Sequence, residues 1–240
     1  MFEDLKNIEL LGENKILFIT MTNNGYVDYT LNMLKSLKKI DLDQKILCVC
    51  IDNYSYDKLK DSYNAVVIDT KYDKFSRYHK DDFFEISKFK FFIVCELLKK
   101  GYNILFTDGD IFYKKNPINY IDNILKDKNI DVVIQNDDGN NNDNDHNYLC
   151  TGFYFVKSTP KNIELFNLSK YQDNKISCDQ TLFNKFIKPN LNYAVLPLSL
   201  FPNGCTFYKC GNKDEQYLVH FNYVVGHEKK NKMINYGLWL

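Results

Sequence analysis

Two kinds of apolar segment alternate along this chain, and their order restricts the fold more than any other feature. Residues 15–20 (KILFIT), 45–51 (KILCVCI), 65–68 (AVVI) and 103–107 (NILFT) are short, nearly continuous apolar runs. Such runs read as strands buried on both faces. Between them, residues 26–40 carry Tyr26, Tyr29, Leu31, Leu34 and Leu37 at helical spacing. Residues 81–100 form a longer helical stretch, stopped by Gly101, with Lys99 and Lys100 in its last turn. Residues 132–135, 150–156, 193–196 and 217–225 predict further strands. Thr159-Pro160 opens a helix, with Thr as cap and Pro in the first turn, and residues 177–187 predict another. Repeated β-α-β order predicts an α/β domain with a mostly parallel central sheet. Without a linker or repeat, residues 1–240 read as a single domain.

Charge and cysteine usage narrow the function classes. Lys and Arg total 31, as do Asp and Glu, so the net charge is zero. A nucleic-acid-binding surface ordinarily shows a basic excess, so nucleic acid is not the expected partner. Seven cysteines occur, with no CxxC pair. They read as reduced thiols of a cytoplasmic protein, with a Cys205–Cys210 loop disulfide as the alternative. The opening MFEDLKNIELLGENK lacks the apolar core of a signal peptide, and no apolar run is long enough to span a membrane. The Asn-rich stretch 136–147 (NDDGNNNDNDHN) reads as a polar surface loop between strands.

Ligands of open parallel sheets bind beyond the carboxyl ends of the strands. There the run ILFT ends in Asp108-Gly109-Asp110. In extended backbone, residues two apart share a face, so both carboxylates can point into one site. Adjacent carboxylates repel unless a cation lies between them or one is protonated. A hard divalent cation resolves this and leaves coordination positions for phosphate oxygens. Gly109 permits close approach of a backbone or ligand. The same tripeptide also makes ordinary turns. A phosphatase-type aspartyl nucleophile fits poorly, because Phe112 stands where such enzymes carry Thr or Val.

The stretch from Lys90 to Pro117, KFFIVCELLKKGYNILFTDGDIFYKKNP, resembles the nucleotide-diphospho-sugar transferase family. That family includes plant cell-wall xylosyl- and arabinosyltransferases and is related to glycogenin-type retaining enzymes. Four further blocks follow the family order: TNNGYVDYTLNMLKSL, CTGFYFV, SCDQTLFN and HFNYVVGHEKK. The resemblance covers residues from about 15 to 232. It implies a single GT-A-type α/β domain with a Rossmann-like sheet. It also implies a metal-dependent, retaining glycosyltransferase that moves a sugar from a nucleoside diphosphate, UDP first, to an acceptor hydroxyl of a glycan, protein or lipid.

The resemblance assigns roles to individual residues. Asp108, Asp110 and His220 would hold Mn²⁺ or Mg²⁺, imidazole being a suitable ligand for Mn²⁺. Lys229, ahead of Lys230, would neutralise the leaving diphosphate, with Gly226 opening a flexible segment that closes over the donor. Lys90 would contact donor phosphate or sugar. Thr22, Asn23 and Tyr26 would form the base and ribose loop, and Thr151-Gly152 a donor-side step. Asp179 or Gln180 would stand near the reacting carbon as nucleophile or stabilising oxygen. The plainer readings are a snorkelling lysine, a strand bulge at Gly152, a helix cap at Asn23 or Asn24, or a Ser177–Gln180 capping box. Asp137 follows a strand and could contact sugar hydroxyls, but it also opens the polar loop and is left out of the site. The alternatives to transfer are an inactive nucleotide-sugar-binding scaffold and a nucleotide-sugar hydrolase.

Overall fold

The apolar runs form the strands that their pattern predicts. A computed structural model describes residues 5, 8–68, 81–139, 148–171 and 178–240, with 81–84 described by backbone alone. Seven strands make the main sheet: β1 (Ile16–Thr22), β2 (Ile46–Cys50), β3 (Ala65–Val67), β4 (Asn103–Thr107), β6 (Val132–Asn136), β7 (Leu149–Val156) and β8 (Tyr193–Leu196). Their order is β3-β2-β1-β4-β7-β6-β8. All run parallel except β7, which is antiparallel to both its neighbours.

Successive strand residues feed opposite cores. Leu17, Ile19, Ile104 and Phe106 pack on one face, and Ile16, Phe18 and Leu105 on the other. The first core is covered by α3 (Asp81–Lys99), α5 (Pro160–Phe166) and the short α6 (Asp179–Leu182). The second is covered by α1 (Val27–Lys38), α2 (Asn53–Leu59) and α4 (Ile118–Ile124). α3 buries Phe91, Val94, Cys95 and Leu98, an i, i+3, i+4, i+7 stripe. It ends where Gly101 turns to φ +89° and the amides of Gly101 and Tyr102 return to the carbonyls of Leu98 and Leu97. The Thr159 cap forms as read, accepting from the Asn162 amide at 3.1 Å. α7 (Gly204–Cys210) and α8 (Gly226–Asn235) complete the helices.

Several expectations are corrected. The late strand 217–225 shrinks to β9 (Leu218–His220), which pairs only with β5 (Ile111–Tyr113), a strand too short to show periodicity. Tyr223, at φ +64°, turns the chain out of the ribbon. Segment 226–230, where a flexible segment is expected, forms the start of a helix. The helix predicted over 177–187 is α6 followed by a π turn at Phe183–Ile187. Asn136 and Asp138, expected in a solvated loop, are buried. Residues 140–147 and Ser177 lie outside the described residues. All seven cysteines are free thiols, so the Cys205–Cys210 alternative does not form. No described helix is long and apolar enough to cross a membrane.

Candidate active site

The two carboxylates and the histidine meet because two distant strands pair. β4 ends at Thr107, and the Asp108 amide still bonds the Gly152 carbonyl of β7 at 2.7 Å. At Gly109 the backbone presses on α1. A Cβ there would lie 2.4 Å from the Thr30 Oγ1 and 3.3 Å from the Thr30 Cα. The close approach foreseen for this glycine is thus made by a helix. The chain then enters β5, whose Ile111 pairs with His220, while the Phe221 amide bonds the Asp110 carbonyl at 3.1 Å. His220 Nε2 consequently stands 3.3 Å from Asp110 Oδ1. One ligand atom each from Asp108, Asp110 and His220 lies within 4.8 Å of the other two. A Cβ on Gly152 would sit 2.3 Å from His220 Cε1 and 2.8 Å from Asp108 Oδ2. Glycine therefore keeps open the space between these groups. Two carboxylates and an imidazole around an open space suit Mn²⁺, or Mg²⁺ with more of its shell as water or phosphate.

β7 supplies the next layer through an irregularity. Ile134 pairs with Tyr154, but Gln135 already pairs with Cys150, so residues 151–153 bulge away from β6. The bulge turns Thr151 to Asp179, donating a hydrogen bond of 2.8 Å. Lys90 from α3 bridges Asp179 Oδ2 at 2.7 Å and Asp108 Oδ1 at 3.0 Å. Burial works to lower the Lys90 pKa, but the two carboxylates override it and hold it well above the ordinary value. Lys90 therefore snorkels into the site and lies against carboxylates. Asp179 opens α6, and its amide bonds Ser87 Oγ at 3.2 Å.

Opposite, α8 brings Lys229 into contact with Asp110. Both are buried. Burial pushes the Asp110 carboxyl up, yet Lys229 and His220 outweigh it and hold the group well below the usual range. For Asp108, burial wins over Lys90, Asp110 adds its repulsion, and the pKa rises. The Lys229 ammonium lies 5.6 Å from the Tyr26 ring centroid and 5.9 Å from that of Tyr29. Lys230 points elsewhere, over Trp239 at 4.5 Å. Gly226, at φ +56°, accepts the Tyr29 hydroxyl at 2.9 Å. Thr22 and Asn23 line the same cavity, Thr22 bonded to the Thr30 hydroxyl at 2.9 Å. Neither caps α1; its cap position is Tyr26, without a side-chain bond. Asp52, the N-cap of α2 just beyond β2, steadies this loop by accepting from the Asn24 amide at 2.7 Å.

The N-cap position of α6 is Cys178, and Gln180 reaches across to another segment. Its amide nitrogen bonds Asp137 Oδ2 at 2.7 Å, and Asn222 donates to Asp137 Oδ1 at 2.9 Å. Asp137 therefore lines the same cavity, not a solvated loop. Burial raises its pKa against the pull of these donors. Its place just beyond a strand, as for Asp108, is the sequence signal that agrees with this position. Thr22, Asn23, Tyr26, Lys90, Thr151, Gln180, His220, Lys229 and the four aspartates Asp108, Asp110, Asp137 and Asp179 line one cavity of about 540 Å³, while Gly152 and Gly226 lie outside its lining. Four carboxylates there face two ammonium groups, leaving two negative charges for a divalent cation to offset.

With this geometry in place, comparison with known proteins is informative. The sequence profile of the nucleotide-diphospho-sugar transferase family matches residues 41–234. The UDP-galactose:fucoside alpha-3-galactosyltransferase of Dictyostelium discoideum is 28% identical over 295 residues, covering 98% of this chain and 44% of that protein. The Arabidopsis thaliana UDP-D-xylose:L-fucose alpha-1,3-D-xylosyltransferase 3 is 21% identical, over 97% of this chain and 68% of its own length. The chain thus spans less than half of the first relative and about two thirds of the second. Among solved structures, a glycosyltransferase involved in glycosylation of the PBCV-1 major capsid aligns with a TM-score of 0.56 at 14% identity, covering 92% of this chain and 98% of that one. Mouse xyloside xylosyltransferase 1 aligns with the same TM-score at 13% identity, over 87% and 98%. These likenesses show the fold. The profile match spans most of the sequence, and the chain belongs to the nucleotide-diphospho-sugar transferase family, in the GT-A fold.

Proposed function

We propose that this chain transfers a sugar from a UDP-sugar to a hydroxyl of a glycan acceptor, with retention of anomeric configuration and with the help of Mn²⁺ or Mg²⁺. The observation that carries the reading is the convergence of Asp108, Asp110 and His220 at the carboxyl end of β4, beneath the cavity. These three would hold the cation, which when bound offsets charge on the departing diphosphate. Lys229, at the mouth of α8, adds a positive charge on the same side. Lys90 holds Asp108 and Asp179 in register, so its role is to orient carboxylates as well as to neutralise them. Thr151 and Lys90 fix Asp179 for sugar hydroxyls. Gln180 commits its nitrogen to Asp137, which leaves its Oε1 as the part of the amide for the sugar. A front-face transfer, in which the leaving phosphate oxygen takes the acceptor's proton, needs no separate base. The alpha linkages and UDP donors in the two relatives' names support retention and UDP, and their fucose acceptors make fucosides the first acceptors to assay.

The test is calorimetric titration of UDP with and without Mn²⁺, on the wild type and Asp110→Ala. Metal-dependent binding that the variant loses is the expected result. Absence of UDP binding under either condition would sink the UDP-sugar reading. Product analysis then separates transfer from hydrolysis, since a hydrolase releases only free sugar.

A further inference from the structure

Behind the imidazole of His220 lies Gln135, a fully buried amide at the end of β6. The bulge in β7 sets it there, opposite Cys150. Its nitrogen stands 3.1 Å from the Phe201 carbonyl and 3.2 Å from the Pro202 carbonyl. Carbonyls only accept, so this end of the amide must be the NH₂ group. The other end, Oε1, then faces His220 Nδ1 at 2.9 Å. Two acceptors at that distance would repel, so Nδ1 carries the hydrogen and donates it. The Cys150 thiol is 3.6 Å from Nδ1, a longer and weaker contact that leaves this assignment intact. The Pro202 carbonyl also accepts the His220 backbone amide at 3.1 Å. One loop thus fixes both the backbone of the histidine and the amide behind its ring. With Nδ1 donating to Gln135, Nε2 is the nitrogen left to face Asp110 Oδ1, at 3.3 Å, so a cation seated between them would meet the Nε2 lone pair.

We propose that Gln135 is a positioning residue: it holds the His220 proton on Nδ1 and so presents the Nε2 lone pair between Asp108 and Asp110. The inference rests on the cation reading above. Metal ligands of this kind depend on the group that receives their second ring proton. Gln135 touches no substrate and acts only through His220.

The experiment measures Mn²⁺ binding by electron paramagnetic resonance at one fixed pH, on wild type, Gln135→Met and His220→Ala. Gln135→Met keeps the bulk and removes both halves of the amide. It should weaken Mn²⁺ binding roughly 10- to 100-fold, with circular dichroism unchanged. Equal Mn²⁺ affinity in wild type and Gln135→Met would overturn the inference while leaving the cation site standing. A wild type that binds no Mn²⁺, in the presence of UDP or without it, would overturn both. A second measurement needs no variant at position 135. In ¹⁵N-histidine NMR of the wild type with Cd²⁺, a diamagnetic ion, the His220 signal is identified by its loss in His220→Asn. A protonated Nδ1 with metal on Nε2 supports the inference, whether or not Gln135→Met folds. A protonated Nε2 overturns it.

Discussion

Gly152 is where one missing carbon decides the site. A methyl group there would press on both His220 and Asp108. Gly152→Ala should therefore lower Mn²⁺ affinity by roughly 10-fold or more, and isothermal titration with Mn²⁺ checks it. Unchanged affinity would mean that the space between the two ligands is not the cation's place. Lys90 makes a second test at this scale. It and Asp179 are both buried, so Lys90→Met strands a buried carboxylate. The expected loss is roughly 3 kcal/mol of unfolding free energy. Adding Asp179→Asn should restore part of it, with a coupling of roughly 1–3 kcal/mol in a double-mutant cycle read by urea unfolding. Simple additivity of the two changes would show that the ion pair carries no stability.

At the scale of elements, the site is assembled by a two-stranded ribbon, a bulge and a helix. The β5–β9 pairing joins residues more than a hundred positions apart and sets Asp110 beside His220. The β7 bulge sends Thr151 to Asp179 and opens the gap at Gly152. The helical pitch of α8 separates two neighbouring lysines, turning Lys229 inward to Asp110 and Lys230 outward over Trp239. Lys229→Gln should accordingly reduce UDP affinity about tenfold or more, given the magnitude of charge-assisted contacts. Lys230→Gln should leave it within about twofold. Calorimetry on both variants decides; equal losses would place neither lysine on the diphosphate.

For the whole molecule, the buried charges tie stability to pH. The Asp110 carboxyl is held below its ordinary value by Lys229 and His220. A carboxyl lowered on folding stabilises fully above its unfolded value, near pH ~3.9, and loses that stabilisation as the pH falls towards the folded value. The stability gap between wild type and Asp110→Asn should be flat from pH 8 to about 5 and shrink below about pH 4. Denaturant unfolding across this range measures it, and a gap that widened in acid would contradict the depressed value. At neutral pH, Asp110→Asn leaves Lys229 buried without its partner, so the gap itself should be a few kcal/mol, roughly 3.

Local pattern determined the layered architecture. Continuous apolar runs such as ILCVC and NILFT can only be buried on both faces, and the helical stripe of α3 can only lie against such a sheet. The same logic located Asp108 and Asp110, because a strand end is visible in the sequence and the region beyond it is where parallel sheets bind ligands. The ordered motifs named the family and brought His220, Lys229, Lys90 and Asp179 into view. Tertiary structure decided which atoms face which. That Lys90 bridges two carboxylates, that Gln180 serves Asp137, and that Gln135 stands behind His220 all depend on contacts between segments 18 to 89 residues apart. No local rule encodes such distances, since a bulge or a three-residue ribbon leaves no periodic trace. Residue types and strand ends follow from short-range propensity and burial, while pairings across the site are set only when the whole sheet closes.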